Sequence, residues 1–112
     1  MEPRITSSIL VSALLRRAEV EGGFGTVIAK GDSTAGSVAV ILLEKGGNPR
    51  LFERLLQPDG RYAWHDSIPA GEGETAMKAF LERRRRFDPD LWIIELDIAS
   101  AERFAAEMNS LG

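Results

Sequence analysis

The sequence predicts an α+β fold in the order αββββαβα: an antiparallel four-strand meander plus a fifth strand, packed with three helices. Three observations predict it. Apolar residues recur at helical spacing in three separate stretches, one near each end and one before Pro89. The run "VAVILL", Val38 to Leu43, is apolar on both faces, which suits a strand in the middle of a covered sheet. Short segments of glycine, proline and aspartate separate the remaining apolar runs, and short connections favour antiparallel neighbours.

Thr6 to Glu19 reads as the first helix. Leu10, Leu14 and Ala18 repeat every fourth residue, Val11 and Leu15 flank them, and Ser12, Arg16 and Glu19 lie opposite. Thr6 or Ser7 is placed to cap the start, and Gly22-Gly23 ends the pattern. Phe24 to Lys30 reads as the first strand, and Gly31 to Gly36 as a connecting loop. Ser37 to Glu44 reads as the second strand. Lys45-Gly46-Gly47-Asn48-Pro49 is turn chemistry, and Arg50 to Leu56 is a third strand of less regular alternation. Gln57-Pro58-Asp59-Gly60 is a hairpin turn, with proline set for a type I turn and glycine free to take positive φ. Arg61 to His65 is the returning strand.

Residues 67 to 73 read as loop, with Pro69, Gly71 and Gly73. A second helix runs from Glu74 to Arg86, with Met77, Phe80, Leu81 and Arg84 on one face and Phe87 continuing it. Pro89 stops it, because the residue before proline avoids helical geometry. Leu91 to Ile98 is the fifth strand: Trp92, Ile94, Leu96 and Ile98 point one way, Ile93, Glu95 and Asp97 the other. Ser100 is placed to cap the last helix, which buries Ala101, Phe104, Ala105 and Met108.

The length of 112 residues fits a single domain over 1–112. Apolar residues make up 44% and charged residues 28%, ordinary for a soluble globular protein. With no cysteine, disulfides, thiolate catalysis and cysteine zinc sites are excluded, and a reducing compartment suits the chain. Met1-Glu2-Pro3-Arg4 lacks the pattern of a signal peptide, and no apolar run approaches the ~20 residues that span a bilayer. The expectation is a cytoplasmic protein without a membrane partner. A net charge of −3 argues against wholesale polyanion binding, while leaving room for a local patch.

"LERRRRFDPD" carries the strongest such patch. Four successive helical arginines sweep about 300° around the axis and cannot share one face. Arg84 lies on the apolar stripe, so its stem is expected to pack on the domain and its head to pair with Glu95 or Asp97. Arg83, Arg85 and Arg86 fan outward, form a candidate anion or partner surface, and favour the helix C-terminus by ~0.3–1 kcal/mol each. The loop Gly31, Asp32, Ser33, Thr34 and Gly36 is a second candidate, since such loops expose backbone N–H groups as an anion nest. It lacks the phosphate-loop spacing, and the same residues are ordinary turn formers, with Asp32 suited to an Asx-turn.

Tyr62 and Trp64 share a strand face and are a candidate aromatic contact, as a stacking platform or as core. His65 is the single histidine, and with Asp66 and Ser67 on the same strand it cannot build a triad there. No catalytic residue, metal site or cofactor follows from this set. Glu95 and Asp97 share a face at about 7 Å by strand rise, a spacing that suits a magnesium site or a glycosidase pair, and a salt bridge to Arg84 or another arginine accounts for them more simply.

The segments "VSALLRRAEVEGGFGTVIAKGDSTAGSVAV" and "ERRRRFDPDLWIIELD", with the spacing between them, resemble the small alphaproteobacterial family known as domain of unknown function 1491. The resemblance implies a stand-alone cytoplasmic bacterial protein and supplies no catalytic residue, cofactor or partner. Three functions follow in order. The first is a non-catalytic binding or adaptor domain acting through contacts with a protein partner or with itself as a homo-oligomer through an open sheet edge. The second is a weak nucleic-acid or anion-binding module using Arg83 to Arg86. The third is a small hydrolase or metal-assisted enzyme built on Asp32, His65, Glu95 or Asp97.

Overall fold

A computed structural model describes residues 5–68 and 73–110. Met1 to Arg4 and the centre of the expected loop, with Pro69 and Gly71, lie outside the described residues. Helix α1 spans Ser7–Val20 and buries Leu10, Val11, Leu14 and Ala18, the expected stripe. Its start is capped differently from expectation. Thr6 makes no side-chain cap. The N–H groups of Ser7 and Ser8 instead donate to the carbonyls of Thr34 and Ser33, and the Ser7 hydroxyl to that of Gly36. Backbone from a distant loop thus satisfies the orphan donors of the first turn.

The strands are β1 (Phe24–Ala29), β2 (Val38–Glu44), β3 (Gly47–Leu56), β4 (Tyr62–Ile68) and β5 (Trp92–Ile98). Helices α2 (Glu74–Phe87) and α3 (Ala101–Ser110) complete the expected order. The β2-β3 hairpin is tighter than the sequence suggested, and β4 is longer. Lys45 and Gly46 take positive φ (50° and 79°), a two-residue turn that lets β3 begin at Gly47. β4 runs on to Ile68, where a register shift brings Ile68 opposite Leu51 and buries it.

Fold class and element order are those expected from the sequence, but the meander holds three strands, not four. The sheet order is β1-β5-β2-β3-β4. β5 lies between β1 and β2, antiparallel to the first and parallel to the second. β5 carries Ile94 and Leu96, both fully buried, and buries Trp92 and Ile98 almost as deeply. A strand this apolar gains more at the centre of a sheet than at its edge, and this outweighs the local preference for pairing β1 with β2.

The loop from Lys30 to Ser37 therefore passes over the entry to β5. Asp32 N–H donates to the Asp90 carbonyl (3.0 Å), Trp92 N–H to that of Ser37 (2.8 Å), and the Trp92 indole to that of Asp32 (2.7 Å). A Cβ on Gly31 would stand 2.0 Å from the Asp90 carbonyl oxygen, and one on Gly36 2.3 Å from it. Both glycines are needed for this close backbone approach.

The two faces of the sheet are covered unequally. On one, α1 and α3 pack over Val40, Leu42, Phe52, Trp64, Trp92, Ile94 and Leu96. On the other, α2 alone among the described residues packs over Ala39, Ile41, Leu51, Ile68 and Ile93, with Met77 its one buried side chain. Phe87 does not continue the α2 stripe, being 79% exposed. Ten residues on from Met77, it is rotated about 80° off the contact line.

Gly31→Ala is expected to cost at least about 3 kcal/mol, because the opposing atom is backbone and cannot swing away. Gly60→Ala, in open space at φ 85°, is expected to cost only about 1–2 kcal/mol. Urea midpoints of the two variants check this ordering, and similar midpoints would contradict it.

Candidate functional site

A carboxylate under α2 fixes how that helix sits. Glu53 projects from β3, between Ala39 of β2 and His65 of β4, and is only 8% exposed. It accepts hydrogen bonds from Arg84 Nε of α2 (2.8 Å) and from the Ser67 hydroxyl of β4 (2.7 Å). Arg84 is half-buried and ion-paired, as its place on the stripe suggests, but its partner is Glu53 and neither Glu95 nor Asp97. Helix periodicity gives the face of Arg84. It does not give which strand lies beneath.

Held there, α2 covers only part of its face. Beside it runs a cleft of about 700 Å³. Its walls and floor are Ile28 of β1, Ile41 and Leu43 of β2, Ile93 of β5, and Met77 and Leu81 of α2. Charged side chains rim it: Glu74, Lys78, Glu82 and Arg85 from α2, and Glu95 from β5. Ile28 is 54% exposed, so one wall stands open to water. The volume is within the usual range of ligand clefts, and the lining is mainly apolar with a few charges.

Glu95 and Asp97 share a strand face as expected, but their surroundings separate them. Asp97 accepts the Gly46 N–H at 3.2 Å and so braces the β2–β3 turn. Glu95 is half-buried, opposite Ile41 on one side and Thr26 on the other, and its carboxylate has no hydrogen bond or ion pair among the described residues.

The arginine run is divided. Arg83 and Arg86 are exposed, Arg84 holds Glu53, and Arg85 is half-buried at the cleft rim. Arg85 Nη1 reaches the Leu91 carbonyl at 3.5 Å. Arg83, Arg85 and Arg86 therefore do not share one face, as the 100° step requires.

In the Gly31–Gly36 loop the N–H groups of Thr34 and Ala35 donate to the Asp32 carboxylate (3.2 and 2.9 Å). The nest is filled by the loop's own anion, and the carbonyls of Ser33, Thr34 and Gly36 face α1. Trp64 is buried in the core beneath α3, and its backbone N–H donates to Asn109 of that helix at 3.1 Å. Tyr62 lies under the Arg54 guanidinium, 4.3 Å from the ring centroid. Burial lowers the Arg54 pKa and the neighbouring Tyr62 opposes that shift. Tyr62 and Trp64 thus offer no joint stacking surface.

His65, Asp66 and Ser67 diverge. His65 is exposed opposite Glu53, Asp66 pairs with Arg50 at 2.8 Å, and Ser67 turns to Glu53. Ser100 caps α3 as expected, accepting the Arg103 N–H, and Glu44 of β2 adds a second cap through the Ala101 N–H (2.7 Å).

Sequence reading missed Glu53 and the cleft itself. A lone glutamate in an irregular strand looks solvent-exposed, and the cleft joins residues from five elements. The one available signal was Ile28, an apolar residue on an edge strand with no apolar stripe left to receive it.

Arg84→Ala is expected to destabilise by about 2 kcal/mol, between the exposed and buried limits for ion pairs, since it strands the Glu53 carboxylate. Arg83→Ala should stay within about 0.5 kcal/mol of the parent. Replacing both partners, Arg84→Met with Glu53→Leu, should recover part of the loss. Chemical denaturation of the three variants tests the tether, and equal midpoints for Arg84→Ala and Arg83→Ala would contradict it.

Comparison with known proteins bears on most of the chain. No curated protein matches. A DUF1491 family protein from Caulobacter crescentus has a crystal structure with a TM-score of 0.80 and 36% identity, covering 90% of this chain and 94% of its own. An NMR structure of a DUF1491 family protein from the same organism has a TM-score of 0.80 and 36% identity over 92% and 94%. Protein Atu0922 from A. tumefaciens has a TM-score of 0.78 and 31% identity over 91% and 92%. The family model described as protein of unknown function (DUF1491) matches residues 5–106. With that match and these neighbours across sheet and helices, the chain belongs to the DUF1491 family.

Proposed function

We propose that the protein is a non-catalytic binding domain acting through protein contacts, and that the cleft beside α2 receives apolar side chains of its partner. The observation that carries this reading is the uncovered sheet face. Ile28 is 54% exposed beside Leu43 and Leu81, in a lining that is apolar below and charged at the rim. Covering such surface gains roughly 25 cal/mol per Å², so a partner with apolar side chains is drawn to it. The rim charges of both signs then set its orientation more than its affinity. The polar groups outside the cleft support the reading too. Asp32, Asp97, Glu44, Glu53 and Asp66 each hold backbone or side chains of the fold.

Recovery of bound protein from a native lysate, with and without nuclease, tests this. Ile28→Glu should abolish recovery of the partner, and its exposed position should spare the fold. The pair Arg83→Glu with Arg86→Glu should leave recovery unchanged. The reverse pattern, lost on nuclease treatment, would replace protein contact with nucleic-acid association through the arginines.

A further inference from the structure

We infer that the occupant of the cleft is an amphipathic helix of a partner protein, its apolar stripe flanked by a lysine or arginine that meets Glu95. The inference rests on the cleft being a protein-contact site and adds the shape and charge of what enters it.

The shape follows from the covering of the sheet. Five strands are about 19 Å across at the usual spacing, and a helix with its side chains is about 10–12 Å wide. Two helices match one face, α1 and α3 over the strands they bury. Among the described residues the opposite face has α2 alone, leaving a strip over β1, β5 and β2 about one helix wide. A helix laid there would meet α2 at the ordinary interaxial distance of about 8–10 Å, its stripe on Ile28, Leu43 and Leu81.

An added strand fits less well. The pairing of β1 with β5 shifts register between Val27 and Ala29, an irregularity in the edge strand that an incoming strand would have to follow. A second copy of this chain fits less well too. The apolar stripes of α1 and α3 are already buried in the core, and α2 forms the cleft wall.

The charge follows from Glu95. Its carboxylate rises from the floor beside Ile93 and Ile41, and no described residue pairs with it. Its strand neighbour Asp97 is held by the Gly46 N–H, and Arg85, the nearest cation in sequence among the rim residues, turns to the Leu91 carbonyl. A half-buried anion on an apolar floor selects a cation on the partner and selects against a carboxylate there.

The test uses the full chain, isotope-labelled, and helical peptides of about 16 residues, roughly 24 Å long. Each carries the same leucine stripe and differs in one flanking residue: lysine, arginine, norleucine or glutamate. The lysine and arginine peptides should bind about tenfold tighter than the norleucine peptide, with the glutamate peptide weakest. Amide shifts should centre on Ile28, Ile41 and Glu95. Glu95→Gln should remove the preference for a cation and leave the norleucine peptide unchanged. Equal affinities across the panel, or shifts centred elsewhere, would overturn the inference. If no peptide binds while recovery of the lysate partner still depends on Ile28, the cleft remains a contact site and the helical occupant is wrong. A dimer in sedimentation that Ile28→Glu converts to monomer would make the occupant a second copy and also overturn the inference.

Discussion

The placement of β5 between β1 and β2 is the constraint on which the rest depends. Two strands joined by a short loop would ordinarily pair. Here a third strand separates them, and the loop must cross its entry. Crossing brings backbone onto backbone at Asp90, which only Gly31 and Gly36 tolerate. The loop's polar groups then serve three elements at once. Its N–H at Asp32 meets the turn before β5, its carbonyls cap α1, and its Asp32 carbonyl holds the Trp92 indole. A segment that reads as an anion-binding nest is thereby spent on holding a helix, a strand and a turn together.

The same topology decides the asymmetry of the two faces. With β4 at one edge and β5 near the other, α2 connects them across one face by itself. It buries a single side chain, so apolar packing alone holds it loosely. The Arg84–Glu53–Ser67 bonds fix its position at the β3–β4 side. A buried pair of this kind contributes more to uniqueness of placement than to net stability, because desolvation offsets the attraction. The open strip over β1 and β5 exists because the helix is fixed on one side only.

What the sequence made legible was whatever depends on neighbours along the chain. Helical periodicity located α1 and α2 to within a residue or two and the start of α3, and alternation assigned both faces of β5 correctly. The Asx-turn at Asp32 and the hairpin at Gln57–Gly60 followed from turn chemistry. What was illegible depends on pairings between distant segments. Nothing near Gly31 signals that β5, some sixty residues on, will lie between β1 and β2. Glu53 hides for the same reason: its two partners come from β4 and α2, and only their convergence makes burial of a carboxylate tolerable. Arg84 shows the boundary between the two cases. Its face was readable, its partner was not.

The charged groups thus divide by what already holds them. Asp32, Glu44, Glu53, Asp66 and Asp97 are bonded within the fold, and each would lose those bonds on engaging a ligand. Such groups are poor recognition elements, because binding must first replace an existing interaction of comparable strength. Among the described residues Glu95 has no such bond to replace, and it stands where apolar surface is also uncovered. Arg83 and Arg86 have no partner among the described residues either, but in open water their attraction to a partner is weak and screened. The difference between Glu95 and these arginines is the local environment, not the charge. A half-buried carboxylate beside apolar side chains couples electrostatic selection to apolar contact, and only that coupling yields both affinity and choice of partner.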